Sequence, residues 1–213
     1  MIMSDSGSPA LRVAVLISGS GTTLRNLLEK IDQHRLPIEV ALVISSNPAA
    51  GGLQYAVQRE IPWRVQAKQK GQAAEDYSRD IFAPCREANV GLVVMGGFLK
   101  HVLVPQDFVD RVINIHPSLI PSFCGQSYYG RRVHEAVLEY GTKVSGCTVH
   151  FVDNEYDHGP IIAQEVVPVL SHDTPETLAA RVFEAECEVY PRVIHHFAQG
   201  RIRRTGRCVR IDD

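Results

Sequence analysis

The 213-residue sequence has few features of a membrane protein, a disulfide scaffold or a metalloprotein. It contains no apolar run of about 18 residues, the length that a membrane-spanning helix needs. Its five cysteines are scattered and form no Cys-x-x-Cys pair, which is typical of free thiols in a reducing cytoplasm. No His-x-x-His or His-x-x-x-His spacing is present either. We therefore expect a cytoplasmic protein without a zinc site.

An excess of charge of one sign is also missing. The sequence has 22 Lys and Arg against 24 Asp and Glu, and its net charge is −2. Proteins that bind nucleic acid or anionic membranes usually show a clear positive excess, so we expect neither partner, although residues 201–210 are locally basic. Small-molecule substrates are the expected partners, and the sequence leaves open whether the protein is a monomer or a homodimer.

The first 116 residues alternate between buried strands and amphipathic helices. Strands are predicted at 12–18, 39–46, 90–97 and 111–116, with a short edge strand at 61–66. Helices are predicted between them at 22–34, 51–60 and 72–89. This order predicts an α/β, Rossmann-like fold, with a mostly parallel twisted sheet flanked by helices.

The second half has a different pattern. A helix is predicted at 131–140, followed by strands at 146–153 and 160–169. The loop between these strands is too short for a crossover, so we expect an antiparallel hairpin that extends the sheet.

The carboxyl-terminal part is predicted to contain one long helix at 174–199, with Asp173 or Thr174 as its cap and Gly200 as its end. The tail at 201–213 is expected to add a short strand. We expect a single domain at 11–210 after a flexible amino-terminal segment at 1–10, which lacks the apolar stretch of a signal peptide.

A glycine-rich loop, Ser-Gly-Ser-Gly-Thr-Thr at 18–23, joins the first strand to its helix. A dinucleotide fingerprint would require glycine where Leu24 stands and an acidic residue near 45–47, and a P-loop would require Gly-Lys-Ser/Thr. The loop does fit a single phosphate monoester bound by backbone N–H groups. On the residues alone, a tight turn without a ligand is equally compatible.

Asn114 and His116 lie on the same face of a strand that Pro117 ends. An amide and an imidazole at the carboxyl edge of a parallel sheet could bind an oxyanion and move a proton. The alternative is a pair that only caps the turn at 117–121.

The acidic loop at 153–160 connects the two antiparallel strands. Most acidic turns are simply solvated, but Asp157 could reach across the crevice and orient a histidine. His150 alternates with Thr148 and Val152 along one strand, so we expect it to be a core histidine with satisfied hydrogen bonds.

Five segments together resemble the folate-dependent formyltransferases, in the order that the family shows. The resemblance extends from about Arg12 to Arg210. The segments are ISGSGTTL (17–24), GGFLK (96–100), INIHPSLIP (113–121), SGCTVHFVD (145–153) and DHGPIIAQ (157–164). The resemblance implies the formyltransferase fold and transfer of the formyl group of 10-formyltetrahydrofolate, as cosubstrate, to the amine of glycinamide ribonucleotide in purine biosynthesis. It implies no metal.

The resemblance also implies roles for individual residues. Asn114 and a charged His116 would stabilise the oxyanion, and Asp157 would pair with His116 and help to move the amine proton. Glu186 would contact the substrate ribose. The implied phosphate-binding residues are Gly19, Ser20, Gly21, Thr22 and Thr23. The implied folate-binding residues are Leu99, Lys100, His101, Val102, Asn114, Asp153, Asn154, Glu155, Tyr156 and Asp157.

Four features depart from the family pattern. Thr23 stands where asparagine is usual, and Phe183 stands where many relatives have a polar substrate contact. Ala74 stands where an arginine often touches folate, and the segment at 122–134 is longer than in the shortest relatives.

Other functions of this superfamily are less compatible with the sequence. A formyltetrahydrofolate deformylase normally has an added amino-terminal domain, and a methionyl-tRNA formyltransferase has an added carboxyl-terminal domain. A sugar-nucleotide formyltransferase should lack the phosphate turn. A non-catalytic folate-binding module would not require Asn114, His116 and Asp157.

Overall fold

The computed structural model describes residues 10–212, so most of the segment at 1–10, predicted to be flexible, lies outside the described residues. One sheet of seven strands forms the centre of the molecule. In chain order its strands are β1 (Leu11–Ile17), β2 (Ile38–Ser45), β3 (Trp63–Val65), β4 (Leu92–Met95), β5 (Val112–His116), β6 (Val144–Phe151) and β7 (Ile161–Pro168). The helices are α1 (Thr22–Asp32), α2 (Leu53–Gln58), α3 (Ala74–Glu87), α4 (Arg131–Tyr140) and α5 (Pro175–Ala198).

The strand order in the sheet is β3-β2-β1-β4-β5-β6-β7. The strands from β3 to β5 run parallel, whereas β6 is antiparallel to both β5 and β7. This arrangement confirms the predicted α/β fold with an antiparallel extension, and it places β3 at the sheet edge as predicted. A short 3-10 turn at Gln106–Phe108 was not predicted.

The sheet is buried on both faces, as the continuous apolar runs predict. Residues 13–17 of β1 and 92–94 of β4 are fully buried, and they contribute to two hydrophobic clusters on opposite faces. On one face α1 packs with Leu24, Leu27 and Leu28, and on the other α3 packs with Ile81 and Phe82.

The long helix α5 begins and ends as predicted. Thr174 is its cap and forms a capping box with Thr177, and Gly200 follows its end with a φ of 65°. Within α5, the buried Tyr190 hydroxyl lies 3.1 Å from the carbonyl oxygen of Met95 and 3.0 Å from that of Ile113. These contacts fix α5 to β4 and β5.

The tail contains the predicted short strand and also a second one that was not predicted. The tail forms an antiparallel hairpin of β8 (Ile202–Thr205) and β9 (Cys208–Ile211). Gly206, with a φ of 60°, permits the two-residue turn between these strands. None of the helices formed by residues 10–212 has the length and apolar character needed to cross a membrane.

Candidate active site

A cleft of about 590 Å³ lies at the carboxyl ends of β1, β4 and β5. This edge of an open parallel sheet is where ligands usually bind. The cleft brings together nearly all of the predicted site residues. Those that line it are Gly19, Ser20, Gly21, Thr22, Thr23, Leu99, Lys100, His101, Val102, Asn114, His116, Asp153, Glu155, Tyr156, Asp157 and Glu186.

The glycine loop forms one end of the cleft. Gly21 precedes α1 with a φ of 72°, and no side chain among the described residues caps this helix. A Cβ at Gly21 would lie 2.5 Å from Gly52 Cα, so the two backbones pack directly against each other. The Gly52 N–H donates to the carbonyl oxygen of Gly19 over 3.0 Å. The first N–H groups of α1 are thus left to bind an anion in the cleft.

His116 and Asp157 form a close pair on the floor of the cleft. His116 is 4% exposed, and its Nδ1 lies 3.4 Å from Asp157 Oδ2. Its Nε2 donates to the carbonyl oxygen of Phe123 over 2.9 Å. Because a carbonyl oxygen only accepts, Nε2 carries a proton and Nδ1 faces the carboxylate. Asp157 is held in turn by the N–H of Gly125, which donates to Oδ2 over 2.9 Å.

His150 completes this group, and sequence reasoning missed its place in the site. The prediction of a buried, satisfied histidine is confirmed, because the residue is 2% exposed and Nδ1 donates to the Phe151 carbonyl over 2.8 Å. Its Nε2 accepts from Asn114 Nδ2 over 3.3 Å and lies 3.8 Å from Asp157 Oδ1. Burial lowers the pKa of His150, which keeps the ring neutral and able to accept. His150 therefore sets the direction of the Asn114 amide.

The loops at 99–102 and 153–157 form one side wall. Leu99 and Tyr156 are 58% and 50% exposed, and the rings of His101 and Tyr156 lie 4.8 Å apart. Asn154 does not line the cleft, unlike the other residues of its predicted group. Instead, its Oδ1 accepts from Val104 N–H over 2.9 Å, and its carbonyl oxygen lies 3.0 Å from His101 Nε2. Asn154 thus links the loop at 153–157 to residues 101–104, outside the cleft lining.

Helices α4 and α5 form the opposite wall. Glu176, Ala179, Phe183 and Glu186 recur at helical spacing along the cleft side of α5. Burial raises the pKa of Glu186 to about 7, so the carboxyl is partly protonated near neutral pH. Arg131 of α4 pairs with Glu176 at the mouth of the cleft.

Several further cleft residues were not predicted. For two of them the sequence did contain a signal. Glu176 lies at helical spacing from the predicted Glu186 on α5, and His150 lies on β6 directly opposite the predicted Asn114 on β5. No comparable signal exists for the residues that loops bring in. The additional lining residues include Met95, Phe98, Tyr128, Tyr129, Arg131, His134, His150, Val152, Glu176 and Phe183.

The arrangement supports acyl-transfer chemistry. An amide N–H and an imidazole lie side by side, and the imidazole is paired with a carboxylate. Such a group can stabilise an oxyanion and move a proton. Over residues 10–212, no group of three or more His, Cys, Asp or Glu side chains is placed to hold a metal ion.

Comparison with known proteins identifies close similarity along most of the chain. The model of the family described as formyl transferase matches residues 11–194. The chain is 35% identical to the phosphoribosylglycinamide formyltransferase of Haemophilus influenzae, over 94% of this chain and 93% of that protein. It is 39% identical to the chloroplastic phosphoribosylglycinamide formyltransferase of Vigna unguiculata, over 90% of this chain but 62% of that protein.

A solved structure agrees with these similarities. The structure of glycinamide ribonucleotide transformylase 1 from Symbiobacterium toebii superposes with a TM-score of 0.87 at 37% identity. The match covers 97% of this chain and 96% of that one.

Proposed function

The chain belongs to the formyl transferase family, and we propose that it transfers the formyl group of 10-formyltetrahydrofolate to the amine of glycinamide ribonucleotide in purine biosynthesis. The observation that carries this proposal is the presence, in one cleft, of an anion-binding helix end and the His116–Asp157 pair. The relatives from Haemophilus influenzae and Symbiobacterium toebii support the choice of acceptor.

The end of the cleft at the glycine loop suits the acceptor. Residues 19–23 present backbone N–H groups at the start of α1, and these would bind a phosphate monoester. Glu186 lines the same cleft and, once ionised, accepts hydrogen bonds from two ribose hydroxyls. With its phosphate bound at the glycine loop, the acceptor would place its amine, which is the nucleophile, beside His116.

The wall of the cleft formed by 99–102 and 153–157 suits the donor. Leu99 and Tyr156 are large apolar side chains that solvent reaches at the cleft mouth. A flat folate ring system would cover them and gain free energy from the apolar surface removed from water. This wall adjoins Asn114 and Asp157, where the formyl group must lie.

In the proposed reaction the donor supplies an activated formyl group. Asn114 Nδ2 uses one hydrogen for His150 and has a second for the formyl oxygen. The charge of a protonated His116, held by Asp157, stabilises the negative charge that develops on that oxygen. Asp157 helps to move the proton from the attacking amine to the departing folate nitrogen. Positioning in a partly dry cleft contributes the remaining acceleration.

We further propose that residues 11–210 act as one catalytic domain with small-molecule substrates. A cytoplasmic location and the lack of nucleic-acid and membrane partners stay predictions, as does the choice between a monomer and a homodimer.

An absorbance assay for formyl transfer tests the proposed function. The purified protein receives 10-formyltetrahydrofolate with glycinamide ribonucleotide, with glycinamide lacking the ribose phosphate, with an amino sugar nucleotide, or with no acceptor. We expect rapid transfer to glycinamide ribonucleotide and a loss of at least about 100-fold in kcat/KM without the phosphate. Formate release that needs no acceptor would indicate a deformylase, and transfer only to the sugar nucleotide would exclude the proposed acceptor.

A further inference from the structure

His134, in the first turn of α4, is a buried polar residue to which the chemistry above gives no role. It is 4% exposed, yet it lines the cleft. Its Nδ1 is sealed from solvent and has no hydrogen-bond partner within residues 10–212. A buried nitrogen without a partner costs free energy, so its retention calls for an explanation.

The charge and tautomer of His134 follow from its surroundings. Burial lowers the pKa of His134, and the nearby His116 lowers it further, so the ring is neutral. A neutral imidazole carries one proton, and an unpaired buried N–H is less tolerable than an unpaired lone pair. The proton therefore belongs on Nε2, at the distal edge of the ring, and leaves this residue of the cleft lining with one N–H to donate.

The position of His134 assigns it to the acceptor side of the cleft. Helix α4 packs against α5, whose cleft side carries Phe183 and Glu186, opposite the loops at 99–102 and 153–157. The nitrogens of His116 already face Phe123 and Asp157. A neutral N–H next to His116 is thus a donor that the protein itself leaves unused.

We propose that His134 binds the acceptor substrate, its neutral Nε2–H donating a hydrogen bond to the amide carbonyl oxygen next to the reacting amine. The identity of that acceptor rests on the proposed function. The amide of glycinamide ribonucleotide lies one carbon from the amine, so an amine placed at His116 puts this oxygen near His134. A neutral donor matches an uncharged carbonyl without introducing a second cation beside His116.

Two substitutions separate binding from packing. His134→Leu removes the donor together with the unpaired nitrogen, and His134→Gln keeps an N–H at similar reach. We expect His134→Leu to raise the KM for glycinamide ribonucleotide about 10-fold while its melting temperature is unchanged or higher. His134→Gln should stay within about 3-fold of wild type, and calorimetry should show the same folate-donor affinity in all three proteins.

The imidazole tautomer gives a readout that does not depend on turnover. Nitrogen-resolved NMR of the substrate-free protein near pH 7 should show His134 neutral, with the proton on Nε2. Three results would overturn the assignment of His134 but not the proposed function. These are a proton on Nδ1, a charged ring, and a KM that His134→Leu leaves unchanged while wild type turns over. A wild-type enzyme that does not formylate glycinamide ribonucleotide would instead refute the proposed function, and with it the identity of the ligand.

Discussion

The site depends on a few side chains whose direction is set by a backbone carbonyl. The Phe123 carbonyl fixes the proton on His116 Nε2, and the Phe151 carbonyl fixes the proton on His150 Nδ1. His150 then orients the amide of Asn114, so its position determines which amide hydrogen faces the cleft. Each group proposed to react is therefore held before substrate arrives, which is what electrostatic stabilisation of an oxyanion requires.

Glu186 gives a prediction about pH and stability at the scale of one residue. Its pKa is about 7 in the folded protein and 4.5 in the unfolded chain. Below pH 4.5 the carboxyl is neutral in both states. As the pH rises towards 7, only the unfolded chain releases the proton readily, so the folded state loses relative stability. The free energy of unfolding of Glu186→Gln should therefore exceed that of wild type by about 1–3 kcal/mol at pH 8 and by a clearly smaller amount at pH 5.

Urea unfolding at the two pH values measures this difference. Glu184→Gln is the matched control, because Glu184 lies on the same helix but is exposed. An equal effect of Glu186→Gln at pH 5 and pH 8 would contradict the account of its burial.

The sequence indicates which residues lie in the cleft where a local pattern carries the chemistry. The spacing of Asn114 and His116 on one strand, and the register of the glycine loop before α1, were sufficient. Asn154 lies outside the cleft lining, because a turn residue's direction depends on which neighbouring loop offers a donor, here Val104. Neither the helical nor the strand periodicity of a sequence indicates such contacts between distant loops.

At the scale of elements, the boundaries of strands and helices follow from apolar periodicity and caps. The apolar runs of β1 and β4 and the amphipathic pattern of α5 are strong because burial selects for them. Only one strand of the β8–β9 hairpin was predicted, because the residues of both strands are exposed or half-buried around a single Gly206. A short exposed strand carries a weak apolar signal.

The turn between β1 and α1 gives a prediction at this scale. Gly21→Ala should lower the free energy of unfolding by about 1–3 kcal/mol, because the residue has a φ of 72° and a Cβ would lie 2.5 Å from Gly52 Cα. Gly19→Ala is the matched control, since a Cβ there has no neighbour within 4 Å. Urea unfolding of both variants checks the difference. Two variants of equal stability would mean that the loop is not packed as described.

For the whole molecule, the sheet order explains why distant segments form one site. The parallel strands β1, β4 and β5 end at the same edge, so the glycine loop, the loop after β4 and His116 meet there. The antiparallel β6 then returns the chain past Asn114 and delivers Asp157 from the opposite direction. The strand order and the antiparallel extension thus bring distant segments into one site. Gly19 and Glu186, which both line the cleft, are 167 positions apart in the sequence.

The central claim is that the His116–Asp157 pair in this cleft carries out formyl transfer. The most direct measurement is kcat for transfer from 10-formyltetrahydrofolate to glycinamide ribonucleotide by wild type and by Asp157→Asn, with donor affinity measured in parallel. Asp157→Asn should lose about 100-fold or more in kcat while its donor affinity stays within about 3-fold of wild type. A near-normal kcat of Asp157→Asn would show that Asp157 has no part in formyl transfer.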